Sequence, residues 1–266
     1  MDSLQQTNLA EIEGLNQRGR RTLSFVDLIR AGTMSAEMVA YCWTAIANGA
    51  SFLTAARPGG AGKSTVLANL LALLPPGEEV VTFGSASPVS GPGTPDTLVG
   101  LSRSPEPDKS VGRTNSHRRC TLAHEIGSGH WYGYIWGAQV REFLSLKAQG
   151  HRLAACLHAD TLAEVEDALC SPPLSCSPEQ MRALDLILFI HVLPEGRRVV
   201  AVHEATAEGY RQVFAWDPKR AEAVPTVAMA DAAYEKRLAI VRRIVADGLE
   251  DLQSVRAAIL AEYEKD

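Results

Sequence analysis

The chain has 266 residues, 46% of them hydrophobic, and a formal net charge of −5. That length and apolar content suffice for one large core, or a medium core with a small appendage, and one main domain is expected. The negative balance excludes a global basic field that would draw the protein onto nucleic acid or an anionic membrane, and no apolar run reaches the roughly 18 residues that a bilayer-spanning helix needs. No basic-then-apolar leader stands at the N-terminus, so a cytoplasmic protein is expected. The five cysteines (Cys42, Cys120, Cys156, Cys170 and Cys176) include no C-x-x-C pair and read as buried, reduced thiols. Cys170 and Cys176, on either side of Pro172 and Pro173, leave a disulfide or metal binding as a second possibility.

In chain order, residues 1–21 are polar, contain Gly14 and Gly19, and are expected to form a flexible N-terminal arm. From Leu23 the apolar residues recur at helical intervals and stop at Gly32. A second helix starts from a Ser35 cap with Glu37 in its first turn, carries the stripe Met38, Val39, Cys42, Trp43 and Ile46, and ends at Asn48 and Gly49.

The next stretch organises the chain. Residues 50–56 are a short apolar run of strand type, and residues 66–74 have helical spacing and end at Pro75, Pro76 and Gly77. Between them stand Arg57, Pro58, Gly59, Gly60, Ala61, Gly62, Lys63, Ser64 and Thr65. This matches G-x-x-x-x-G-K-[ST], a phosphate-binding loop, with Arg57 in the place of the first glycine. In such a turn the backbone N–H groups from Gly59 to Lys63 surround a phosphate chain at the positive end of a helix. Lys63 is expected to reach the β and γ phosphates and the Ser64 hydroxyl to ligate Mg²⁺. Arg57 implies either an altered start to the loop or an extra cation over the phosphates.

Residues 79–83 read as a strand. Residues 84–119 hold Pro88, Pro92, Pro95, Pro105 and Pro107 among serines and glycines, and form either a mobile surface excursion or a functional lid. Arg113, His117, Arg118 and Arg119 gather at its end, as a solvated face or as a contact for nucleotide, neighbouring subunit or polyanion. A buried strand over residues 120–126 carries Glu125 near its end. A strand beside the loop is expected to deliver such a carboxylate toward Mg²⁺ or the attacking water. Trp131, Tyr132, Tyr134 and Trp136 suit core packing, base stacking or a partner's grip. A helix over 138–148 and a strand from His151 follow. The strand ends at His158 and Asp160, where His158 is either structural or a hydrogen-bonding partner of a phosphate, and a helix starts near Thr161. Strands over 184–193, 197–203 and 210–216 have short connections and predict an antiparallel meander. Apolar residues spaced three and four apart from Tyr234 to Ile259 predict a helical hairpin, or one helix interrupted at Gly248, packed on its own domain rather than on a neighbour, which is the second possibility.

Taken together, the leader helix from Leu23, the loop Gly59 to Thr65, His124 with Glu125 and Ile126, Gly150 with His151, and Leu157 to Asp160 resemble the secretion and pilus ATPase superfamily of type II and type IV systems. Gly196, Arg197 and Arg198 with the apolar run after them extend the resemblance, which spans residues 22–215. It implies a three-layer α/β RecA-like P-loop ATPase domain over residues 22–220, with a small antiparallel β extension and a C-terminal helical element over 221–266. It also implies ATP and Mg²⁺ as cofactors. Lys63 and Ser64 would be the phosphate and metal ligands, Glu125 the acidic catalytic residue, and His158 a catalytic histidine near the γ phosphate. The partners implied are a homo-oligomer, a hexamer in that family, and a secretion or pilus machinery protein at the inner face of the membrane. The chain departs from the pattern at Phe83, Gly84 and Ser85, where an acidic box is missing. Gly127 stands where an arginine is expected, and the family's separate N-terminal domain is expected to be missing or reduced to a short lead-in. Two functions remain from the sequence: a motor-type ATPase, and a weakly hydrolysing switch that docks a partner. A nucleic-acid translocase lacks its basic stripe.

Overall fold

The computed structural model of the chain describes residues 2–16, 21–84, 118–128, 132–229 and 231–265. Helices α1 (Ser3–Gly14), α2 (Phe25–Arg30) and α3 (Ala36–Ala47) lead into strand β1 (Phe52–Ala55) and helix α4 (Lys63–Leu71). Strands β2 (Glu79–Thr82), β3 (Arg119–Ile126) and β4 (Tyr134–Ile135) follow, then helix α5 (Ala138–Ser145), a 3-10 turn (Leu146–Gln149) and strand β5 (Arg152–Leu157). Helices α6 (Leu162–Cys170) and α7 (Pro178–Met181) precede strands β6 (Leu186–Leu193), β7 (Gly196–Thr206), β8 (Gly209–Asp217) and β9 (Glu222–Pro225). Helices α8 (Ala232–Ala246) and α9 (Leu252–Tyr263) end the chain.

The strands join one sheet in the order β2-β3-β5-β1-β6-β7-β8-β9, with β4 paired to the end of β3. Pairs from β2 to β6 are parallel, and helix α4 carries the chain from β1 to β2 and helix α5 from β4 to β5. From β6 onward the pairs are antiparallel hairpins. The expected meander is therefore a continuation of the central sheet, and β6 belongs to both parts. Strands β1 and β5 are buried along their whole length, as parallel strands covered on two faces must be. Side-chain alternation sends Phe52, Cys156, Leu186 and Leu188 into a layer with α1, α2, α3, α4, α8 and α9. Leu53, Leu153, Ile187 and Phe189 face the other layer, with α5, α6 and α7. The result is a three-layer α/β fold with a mostly parallel sheet.

The N-terminal residues differ from the expected flexible arm. Asp2 caps α1 through Gln5 N (2.8 Å), and Leu9 and Ile12 enter the core. Strand β2 is the sheet edge, and the Asn8 amide pairs with its backbone like another strand, donating to Glu78 O and accepting from Val80 N, each at 2.8 Å. Covering an exposed edge gives the polar segment a fixed place that its composition does not reveal. The leader helices follow their caps as expected: Ser24 and Asp27 form a capping box on α2, and the Ser35 hydroxyl accepts from Met38 N on α3. At the other end, α8 and α9 are two helices parted near Gly248 (φ 72°), and both pack on the domain itself. All five cysteines are free thiols, and no group of metal-ligating side chains occurs among the described residues. Arg113, His117, Trp131 and the prolines of the long loop lie outside the described residues.

One buried ion pair ties the start of the sheet together. Arg152 meets Glu78 through Nε–Oε1 at 2.6 Å and Nη2–Oε2 at 3.0 Å, while its Nη1 donates to Ile46 O and Ala50 O at 2.7 Å each. It thereby fastens the end of α3 to β5 and to the turn before β2. Glu78→Ala leaves that guanidinium buried without its counter-charge, so we expect a loss of about 3–5 kcal/mol, measured by urea unfolding; a change under about 1 kcal/mol would mean that the pair is dispensable.

Candidate functional site

Strand β1 runs straight into the glycine-rich turn. The turn needs left-handed backbone at Gly60 (φ 78°) and at Gly62 (φ 105°, ψ 12°), which occupies the N-cap position of α4. No side chain caps α4, so the N–H groups of Lys63, Ser64 and Thr65 face the turn without a side-chain acceptor. Gly59 is exposed, Gly60 is half-buried and Ala61 is buried beneath them. The whole stretch from Gly59 to Thr65 thus leads into the positive end of a helix.

Lys63 is only 6% exposed. Its ammonium donates to Ala56 O at 3.3 Å and lies 3.7 Å from Glu125 Oε2. Both ring nitrogens of His158 are 3.3 Å from it. His158 Nε2 is in turn 3.8 Å from Glu125 Oε1. Three residues from three elements, the start of α4, the end of β3 and the turn after β5, therefore converge on one point. The His158 tautomer follows from its neighbour: Nδ1 is 2.7 Å from Arg57 O, a carbonyl that only accepts, so Nδ1 carries the proton. Glu125 is buried, and its Oε1 has no hydrogen-bond partner among the described residues. Desolvation raises its pKa above the usual carboxylate range, against the opposing pull of Lys63 and His158.

Behind the turn, the Thr54 hydroxyl and the Cys156 thiol are 3.2 Å apart. Burial pushes that thiol up to about 12, with the Thr54 and Ser64 hydroxyls beside it, so Cys156 is a neutral spacer here. Ser64 sits in the first turn of α4 and is half-buried.

Three details differ from the sequence expectations. First, Glu125 does not lie on the strand beside β1: β5 is inserted between β1 and β3, and the long side chains of Lys63 and Glu125 close the extra strand's width. Second, Arg57 takes no unusual backbone and its side chain turns sideways. Its N–H donates to Asp160 Oδ1 at 2.8 Å and its guanidinium pairs with Glu164 Oε1 at 2.6 Å, so it braces the turn against the start of α6. Third, a carboxylate does approach the end of β2, where the expected acidic box is missing. It comes from α1, with Thr82 Oγ1 donating to Glu11 Oε2 at 2.7 Å. No local motif signals Glu11, because only the docking of α1 brings it there. Asp160 was visible as a polar strand end, but its bond to Arg57 depends on β1 and β5 lying side by side.

The raised pKa of Glu125 sets a direction for stability. Its contribution is present below the ordinary carboxylate range, where both folded and unfolded forms are protonated, and is lost as pH rises through the raised folded value. Glu125→Gln imitates the protonated form. It should therefore unfold at a higher temperature than wild type at neutral pH, with the difference shrinking as pH falls toward the carboxylate range. Thermal melts at several pH values check this, and a wild type that is the more stable at neutral pH would overturn it.

No protein-family model matches the chain, and no curated protein matches it.

Proposed function

We propose that the protein binds ATP in the turn from Arg57 to Thr65 and hydrolyses it, as a motor-type ATPase with a RecA-like P-loop domain resembling those of secretion and pilus assembly. The observation that carries this is the convergence of Lys63, Glu125 and His158 beside the uncapped start of α4. An ammonium and the N–H groups at the start of α4 suit a phosphate chain, and a carboxylate oxygen that is buried without a donor among the described residues suits a water molecule.

The turn's N–H groups and the Lys63 ammonium hold the β and γ phosphoryl oxygens and neutralise charge as it develops there. Mg²⁺, bound with ATP, would supply further charge neutralisation, and the Ser64 hydroxyl would be the side chain to hold it. Glu125 accepts a hydrogen bond from the attacking water and takes its proton as the water oxygen bonds to the γ phosphorus. The bond from that phosphorus to the ADP oxygen breaks, leaving ADP and inorganic phosphate. Burial makes the Glu125 carboxylate more basic, which helps this transfer. His158, held by the Arg57 carbonyl, stands on the same side as Glu125 and close to where the γ phosphate would lie. Assembly into a homo-oligomer, and a secretion or pilus protein as partner, belong to the same proposal.

A second function, a nucleotide-held switch with little turnover, is favoured by one observation. Glu125 is the only carboxylate within ion-pair reach of Lys63 among the described residues, and Phe83 and Gly84 supply no other. Calorimetry with Mg-ATP and a phosphate-release assay on the same sample separate the two. Lys63→Ala should weaken ATP binding by about 10- to 100-fold, the worth of a lost charge-assisted bond. Glu125→Gln should keep binding and slow phosphate release by about 10²–10⁴-fold. Uptake without turnover would leave the switch, and no uptake of ATP by the wild type would reject both.

A further inference from the structure

The β6–β7 hairpin places two consecutive arginines on opposite sides of its strand. Arg198 turns to the N-terminal helices, donating through Nη1 to Ala31 O at 2.9 Å. Arg197 turns to the glycine-rich turn, where its Nε donates to Gly60 O at 3.0 Å. Its Cδ lies so close over Gly62 that a Cβ built there would stand 3.3 Å away. Among the described residues, the terminal guanidinium nitrogens of Arg197 make no hydrogen bond or ion pair. A fixed cation with two unused donors thus lies against the same turn as Lys63, but it arrives from the other flank.

The sheet order says which flank. Glu125 ends β3 and His158 follows β5, both on one side of β1, whereas β6 and its hairpin lie on the other. On the assignment of Glu125 to the attacking water, the γ phosphate is on the β3 and β5 side. A phosphate chain laid along the turn then directs its α phosphate and ribose toward β6 and β7.

We propose that Arg197 is a further binding residue for the nucleoside end of a nucleoside triphosphate. Its Nε holds the Gly60 carbonyl and shapes the turn, and its terminal nitrogens donate to the α-phosphate oxygens. This rests on the proposed ATP site and adds to it a second, cis-acting cation that binds ATP and ADP without taking part in bond breaking. A guanidinium suits this double task because its fork presents donors in two directions at once, which an ammonium on a flexible stem does not.

The test compares wild type with Arg197→Ala, Arg197→Lys and Arg198→Ala by calorimetry with Mg-ATP and Mg-ADP and by steady-state phosphate release. Arg197 is exposed, so its variants should keep the wild-type melting profile. Arg197→Ala should weaken ATP and ADP equally, by about tenfold or more, the usual worth of a charge-assisted contact. KM should rise while kcat stays within about twofold of wild type, because a contact made equally in ground and transition states affects binding alone. Arg197→Lys should recover only part of the affinity. Arg198→Ala, which removes the same charge from the same hairpin, should change neither. Loss for ATP with ADP unaffected would place Arg197 at the γ phosphate and overturn the proposal. Unchanged affinity for both would reduce Arg197 to a packing residue, and an equal loss in Arg198→Ala would mean that only bulk charge matters. Wild type that takes up neither nucleotide would instead defeat the ATP site itself.

Discussion

A nearly buried ammonium has to be answered by negative charge or by carbonyl oxygen, and that requirement at Lys63 shapes the region around it. Ala56 O, Glu125 and His158 surround the Lys63 ammonium, and each comes from a different part of the chain. None can shift without leaving Lys63 short of a partner. In the proposed cycle the phosphate chain takes over part of this duty, which frees Glu125 to act on water. The same ion pair that positions Lys63 without nucleotide, at a desolvation cost to Glu125, is then the one that nucleotide loosens.

Holding Lys63 in place means holding α4, and the fold does this from behind. The last carbonyls of α4 and the turn after it need donors. Arg256 supplies them from α9: it is 1% exposed and donates to Ala72 O at 3.0 Å and to Leu74 O. Its Nη2 also donates to Gln5 Oε1 at 3.0 Å, which links the first helix and the last through one side chain. Burial lowers the Arg256 pKa to about 10, so the group stays charged. The two ends of the chain therefore converge on the C-terminus of the helix whose N-terminus forms the candidate site.

The front of the site is built across the sheet. Neighbouring strands are spaced by about 4.8 Å, so with β5 inserted, β1 and β3 are roughly 10 Å apart. The side chains of Lys63 and Glu125 reach across that width and meet at 3.7 Å. The β6–β7 hairpin closes the opposite flank, and with Arg197 on the turn and Arg198 on Ala31 it joins the site to the segment between α2 and α3. Val199 N donates to Thr33 O at 2.8 Å and strengthens the same joint.

By itself the sequence determined whatever depends on near neighbours. Gly60, Gly62 and Lys63 between an apolar run and a helical stripe make a strand, a glycine turn and a helix. Ser35 caps α3 wherever it lies, and the short connections after Leu193 permit only hairpins. Local chemistry also marked Lys63, Glu125 and His158 one by one, without showing that they meet. Tertiary structure decided the rest, because those features depend on which strands lie side by side. It inserted β5 between the strands of Lys63 and Glu125, turned Arg57 toward Asp160 and Glu164, and placed Arg197 over Gly60. It also ordered α1, a polar segment whose Asn8 finds its partners only once β2 presents an unpaired edge. Spacing along the chain encodes backbone geometry over a few residues, whereas contacts between residues 60 and 197, or 8 and 80, exist only after the sheet has chosen its order.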